Sequence, residues 1–355
     1  MQNYLTELFG SEIVAYIVST IPILAFIVVF VLFAVWLERK VSAHMQDRLG
    51  PMRVGWHGTL QTVADFIKLI QKEDIIAKDN DKALFNIAPY LVFVGTLAAY
   101  TMLPFTSIFM GSDANVGIFF VLAISGAVVA GILMGGWASN NKYSLYGAMR
   151  SAAQIVSYEI PTALVVLTMI MVYGTMNLAE VTNAQTSWFW NWGIFGGAGL
   201  GIAKFLLIPF MIVAFIILFV STLAESNRTP FDLPESESEL VAGFNTEYSG
   251  IKFSMFFLAE FANMFLIGSI LVIFFFGGYH SPIGYLGNTL GIEWLIPIEQ
   301  LFWFLAKGLI YVFISMWLRW TLPRVRVDQL MTICWKYLIP YAFVNLLIVG
   351  IILLI

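Results

Sequence analysis

Eight stretches of roughly 20 residues or more pass with almost no charge, at about 14–37, 83–105, 116–138, 155–178, 199–224, 253–278, 300–321 and 336–355. A bilayer core about 30 Å thick is crossed by an α-helix of about 20 apolar residues. In hydrocarbon the backbone has no water to bond, so each crossing segment must satisfy its own amides. The chain is therefore expected to be an all-α integral membrane protein of about eight transmembrane helices, read as one transmembrane domain over 1–355. Only 11% of the residues are charged and 60% are hydrophobic, where a soluble domain carries about twice that charge. One cysteine, Cys334, excludes an intrachain disulfide, and His44, His57 and His280 lie far apart, so no metal site is expected. Glu7 and Glu12, rather than basic residues, precede the first apolar run, which argues against a cleaved signal. Gly126, Gly131 and Gly135 in the third run suggest close helix packing.

The basic residues divide the loops into two sets. Of 18 Lys and Arg, eight fall in Glu38–Lys82, two in 139–154, two in 225–252 and four in 319–336; Lys204 and Lys307 lie inside spans. The segments on the other side (1–13, 106–115, 179–198 and 279–299) carry none. The positive-inside rule then places loops 38–82, 139–154, 225–252 and 322–335 in the cytoplasm and both termini on the periplasmic side. Polar chemistry concentrated on one face suggests docking to a soluble partner.

The first of these loops breaks at Gly50-Pro51 and Gly55, and from Gly58 it turns helical. Leu60, Val63, Ala64, Ile67 and Ile70 recur on one side, and Gln61, Asp65, Lys68 and Lys72 on the other. This is an amphipathic helix suited either to the membrane interface or to the bundle surface. Arg39, Arg48 and Arg53 either snorkel to headgroups or line a polar pocket.

Ionisable groups inside the apolar runs are costly unless paired, hydrated or neutralised. Glu159, Lys204, Glu260 and Lys307 are such groups. The lysines can reach an interface, but Glu260, inside "FFLAEFANMF" and two turns into its apolar run, suggests a proton relay or ion site. Acids are densest in "RTPFDLPESESELVAGFNTEY", Arg228 to Tyr248. Asp232-Leu233-Pro234-Glu235 has a helix-start signature, with Asp232 as cap. That accounts for Asp232, Glu235 and in part Glu237, not for Glu225, Glu239 or Glu247. Glu235 and Glu239 are expected one turn apart on a shared face, where like charges favour a shared proton.

Two of these regions, "GTLQTVADFIKL" (Gly58 to Leu69) and "PFDLPESESELVAGFNTEYSG" (Pro230 to Gly250), closely resemble the signature regions of the quinone-chamber membrane subunit of NADH:quinone oxidoreductase, respiratory complex I. "MRSAAQIVSYEIP" and "LRWTLPRVRVDQLM" extend the likeness over essentially the whole chain. Ser236 departs from a small residue common in relatives, a change expected to matter little. The resemblance implies a membrane component that forms part of a quinone chamber and starts a proton path, with quinone as substrate and no flavin, metal or iron–sulfur cluster of its own. It implies Glu38, Arg39, Arg48 and Asp65 at the chamber or its entrance, with Arg228, Phe231 and Arg319 nearby. It implies Glu159, Glu225, Glu235, Glu237, Glu239, Glu247 and Glu260 in a glutamate-rich funnel, joined by Asp232, and Arg324, Arg326 and Asp328 at an interface. The partners it implies are iron–sulfur and quinone-site subunits on the cytoplasmic face, small and antiporter-like membrane subunits, and lipids, with no nucleic acid, in a bacterial inner membrane. Heel subunits of membrane-bound hydrogenases or related dehydrogenases are the nearest alternative. A stand-alone secondary transporter predicts internal repeats, and none is visible.

Overall fold

The computed structural model describes residues 10, 12–197, 203–234 and 236–354. Eight of its helices are long and apolar enough to cross a membrane, and no strand occurs among the described residues. In chain order we label α1 (Glu12–Met45), the amphipathic α2 (Gln61–Gln71), α3 (Lys82–Tyr100), α4 (Gly117–Ala138), α5 (Lys142–Tyr173), α6 (Ala203–Glu225), α7 (Gly250–Phe275), α8 (Leu295–Thr321) and α9 (Val327–Leu354).

Helix α7 is the axis. Of its most apolar window 83% is buried, against 17% for α9. Aromatic rings fill the space around it: Phe265 packs against Phe26 and Phe30 of α1, Tyr100 of α3 and Phe304 of α8. Close approach needs small residues. A Cβ at Gly268 would sit 2.4 Å from the Tyr311 ring, and one at Gly308 2.5 Å from Phe265. Gly131 and Gly135 behave as expected, with a Cβ on Gly131 meeting Val92 at 2.6 Å. Gly126 does not, since nothing lies within 4 Å of its Cβ position.

The helices outrun the apolar stretches. Helix α1 continues to Met45, α5 begins at Lys142 and α9 at Val327, so much of the segments 139–154 and 322–335 expected as loops is helical. Apolarity marks only what lies in hydrocarbon; capping decides where helices begin. Asp81 accepts from Ala83 and Leu84 amides at the start of α3, and Asn141 accepts from Tyr143 at the start of α5. Helix α9 is continuous only through a π-helical segment, Ile333–Leu338.

The amphipathic helix forms with its expected apolar stripe outward: Leu60, Ile67 and Ile70 are exposed, while Thr62 is buried and Asp65 and Phe66 half-buried. Of its two suggested settings, an exposed apolar stripe suits the membrane interface.

Asp232 starts no helix. The chain turns helical only at Glu237–Leu240, with Ser236 in the capping position. Ser236 makes no side-chain capping bond, and its hydroxyl instead accepts from Arg324 at 2.9 Å. A hydroxyl expected to matter little thus ties this turn to another loop. Glu235, expected to share a face with Glu239, lies outside the described residues, as does the side chain of Glu237.

Two prolines open helices in a useful way. A proline frees the carbonyl four residues earlier. Pro89 in α3 frees Phe85 O, which accepts from the Tyr248 hydroxyl at 3.2 Å while the two rings stack at 4.1 Å. Pro161 in α5 frees Ser157 O, which accepts from Cys334 Sγ at 3.0 Å.

Candidate functional site: a line of carboxylates beside two cavities

Near the C-terminal end of α1, Glu38 is buried between two arginines. It accepts from Arg228 at 3.1 Å and from Arg319 of α8. Arg228 reaches across to Glu260 of α7 at 3.3 Å and lies over the Phe261 ring at 4.4 Å. One guanidinium, 3% exposed, thus bridges two carboxylates. Such a buried charge is stable only while fully paired.

A cavity of about 600 Å³ opens onto this cluster, lined by Glu38, Arg39, Arg48, Arg228, Glu260 and Arg319 among others. A second, of about 440 Å³, lies between α1, α2 and α7; Leu32, Phe66, Leu69 and Leu258 give it an apolar wall. Val35, Arg39, Phe253 and Phe257 line both. Arg39 also pairs with Asp65 of α2 at 2.5 Å, and Gln61 donates to the same carboxylate. Partial burial pushes the Asp65 carboxyl up, but the bonds from Arg39 and Gln61 and the nearby charges of Arg39 and Lys68 outweigh it, so it sits below the usual aspartate range.

From Glu260 a chain of small cavities runs between the helices. One of about 50 Å³ is lined by Glu260, Asn263 and Glu225. The next, of about 60 Å³, is lined by Glu225, Asn263, Thr162 and Ser125. Each has room for a few water molecules. Thr162 donates to Glu225 at 2.6 Å, and Ser125 donates to Glu159 at 2.6 Å. Glu38 and Glu260 are thus joined through Arg228, Glu260 and Glu225 through the first small cavity, and Glu225 and Glu159 through Thr162 and Ser125, the hydroxyls that line the otherwise mostly apolar second one.

Other expected site residues stand apart. Glu239 is exposed and paired with Arg150 at 2.5 Å. Glu247 accepts from Asn141 at 2.7 Å. Neither lines the four cavities. Phe231 is buried against Tyr158 in a small core with Leu233, Leu330 and Cys334, and lines none of them either. Asp232 accepts from Arg324 at 3.3 Å; burial pushes its carboxyl up, against the pull of Arg324, Arg319 and Arg228. Arg48 lines the large cavity, where its Nε donates to Gln46 at 2.8 Å.

Ser125, Thr162 and Asn263 were not anticipated. A signal existed for two of them: Thr162 follows Glu159, and Asn263 follows Glu260, by three residues. That spacing puts a polar side chain on the same helix face as each buried acid.

The opposite half of the bundle holds its own half-buried cation. Lys307 donates to the backbone carbonyls of Phe276, Gly278 and His280, at 2.6, 3.0 and 2.6 Å, and lies 4.2 Å over the Trp192 ring. Lys204 donates to Asn191 at 3.1 Å. Among the described residues no group of three or more His, Cys, Asp or Glu is placed to hold a metal ion.

The pattern of a family described as NADH dehydrogenase matches residues 18–350. A Chlorobium luteolum protein named as the H subunit of NADH-quinone oxidoreductase is 49% identical over 340 residues, covering 94% of this chain and 88% of that protein. A Cytophaga hutchinsonii protein, also named as that component of NADH-quinone oxidoreductase, is 43% identical over 352 residues, covering 93% and 96%. A Phocaeicola vulgatus relative of the same name is 42% identical over 355 residues, covering 99% and 94%.

Proposed function

The chain belongs to the NADH dehydrogenase family, as a multi-pass membrane subunit of NADH-quinone oxidoreductase, and from that premise we propose that its two large cavities form part of the quinone chamber and its line of carboxylates the start of a proton path. The hydrogenase-type alternative is not favoured by the names of the relatives.

The 440 Å³ cavity, apolar and flanked by the amphipathic helix, suits passage of a quinone tail from the bilayer. The 600 Å³ cavity, rich in arginine, suits a carbonyl-bearing headgroup whose charge becomes negative on reduction. The Arg39–Asp65 pair stands where the two meet. NADH is oxidised in another subunit, and this chain binds the quinone and senses its charge.

Negative charge in the large cavity weakens the hold of Arg228 and Arg319 on Glu38 and Glu260 and raises the proton affinity of those carboxylates. Coulomb effects are large where water is scarce. A proton drawn onto Glu260 then moves through water in the small cavities to Glu225 and Glu159. The carboxylates titrate as a coupled set rather than singly. Glu239, ion-paired with Arg150 at the surface, and Glu247, half-buried and bonded by Asn141, serve in the docking of the loop rather than in the path.

The positive-inside asymmetry supports a cytoplasmic setting for the charged face, with both termini on the other side and, since the relatives named here are bacterial, a bacterial inner membrane. Iron–sulfur subunits are the partners that fit the charged face, and antiporter-like membrane subunits those that fit beyond Glu159.

The observation that carries the reading is the pair of small cavities sharing Glu225, one of them also reaching Glu260. The test is Glu260→Gln and Glu225→Gln, one at a time, in the assembled complex. Quinone reduction and proton pumping should fall while electron transfer to an artificial acceptor persists. Normal turnover and pumping in both variants would sink the path.

A further inference from the structure

The signature turn that carries Arg228 is held from behind by one residue of α5. Gln154 is 2% exposed. Its Nε2 donates to Ala224 O at 2.7 Å, to Phe231 O at 2.8 Å and, more weakly, to Asn227 Oδ1 at 3.2 Å. Ala224 and Phe231 flank the turn between them, so a single amide closes both ends. Three acceptors around the nitrogen fix which way the amide points; its Oε1 meets no donor among the described residues.

Gln154 does not act alone on this face. Ser144, Gly147 and Ser151 precede it at helical spacing. Ser144 donates to Phe244 O at 3.2 Å, Ser151 accepts from Asn227 at 3.5 Å, and a Cβ on Gly147 would lie 2.6 Å from Gly243. One stripe of α5 thus templates the loop backbone. Within it, only Gln154 grips both sides of the turn that aims Glu225 inward and Arg228 toward Glu38 and Glu260.

We infer that Gln154 is a positioning residue for quinone-coupled proton transfer: by donating to Ala224 O and Phe231 O it sets the reach of Arg228 to Glu38 and Glu260. The inference rests on the assignment of Glu225 and Glu260 to the proton path.

The test uses the assembled membrane complex. Gln154→Met keeps length and removes both donors; quinone reduction should fall about threefold to tenfold, the scale of one or two lost hydrogen bonds. Transfer to an artificial acceptor should hold. Gln154→Glu gives the sharper readout. A protonated carboxyl can still donate one bond, whereas an ionised one faces two carbonyl oxygens. Quinone reduction by Gln154→Glu should therefore fall with rising pH more steeply than in the unsubstituted complex, and its introduced carboxyl should show a protonated band in the infrared at neutral pH. Turnover in Gln154→Met equal to the unsubstituted complex, or a pH profile in Gln154→Glu that matches it, overturns the inference. If Gln154→Met fails to assemble, the pH profile of Gln154→Glu decides. An infrared band as expected, together with normal coupling in Glu260→Gln and Glu225→Gln, would leave the clamp standing and remove the path instead.

Discussion

Two cations inside the bundle, the buried Arg228 and the half-buried Lys307, are held in opposite ways. Arg228 is balanced by the carboxylates of Glu38 and Glu260, with a 600 Å³ cavity beside it. Lys307 is balanced by three backbone carbonyls and a Trp192 face, and lines none of the four cavities described. Carboxylates take up protons and respond to a neighbouring charge; carbonyl dipoles are fixed. The first arrangement ties its cation to groups that titrate, and the second to groups that do not. The same cost of burying a charge is met by ion pairs in one half of the bundle and by dipoles in the other.

The comparison breaks most visibly at Arg228. Arg228→Gln leaves Glu38 and Glu260 with a lost partner, a change that costs about 3–5 kcal/mol in buried pairs. Loss of quinone reduction is expected, measured against electron transfer to an artificial acceptor. At Lys307 the outcome should be of another kind. Lys307→Met removes three bonds from a charged donor, each worth roughly 1.5–3 kcal/mol, so the detergent-extracted complex should lose its folded signal at a lower temperature. Turnover and pH profile per assembled complex should stay as they were. A shifted pH profile in Lys307→Met would erase the distinction.

A smaller effect is expected at the seam between the cavities. Arg39→Gln and Asp65→Asn should each raise the KM for quinone with little change in kcat. Asp65 sits below the usual aspartate range, so its pair with Arg39 is present at neutral pH and is lost only as pH falls through that lowered value. The KM should accordingly stay flat until the pH drops below about 4, the ordinary aspartate value. The smallest effect belongs to Glu239→Gln, whose exposed pair with Arg150 falls in the class worth about 0–1 kcal/mol. Proton pumping in that variant should match the unsubstituted complex; a large loss would return Glu239 to the path.

Much of this was legible in the residues because a bilayer leaves few options. The eight spans, the amphipathic helix and the isolation of Glu260 all follow from the price of polarity in hydrocarbon. Helix ends were harder to read, since α5 gains three turns beyond its apolar stretch through a cap at Asn141 and contacts with a distant loop. The acidic motif misled in a specific way. Asp232 has the look of a local helix-start residue and Ser236 that of an indifferent one, yet both answer to Arg324, some 90 positions away. Local pattern cannot show a partner that arrives from another loop. Glu239 and Glu247 belong to the same charged segment 225–252 as Glu225, but only Glu225 ends a membrane helix and meets Thr162 across a packed interface.

The carbonyls freed by Pro89 and Pro161 also bear on how such a chain is made. Synthesis proceeds from the N-terminus, so α3 and α5 reach the membrane with an acceptor that nothing yet fills. Tyr248 follows Phe85 by 163 residues, and Cys334 follows Ser157 by 177. Each of these carbonyls is therefore satisfied only once a side chain translated more than 160 residues later has packed against it. Helices made early in this bundle are in that sense completed by side chains made late.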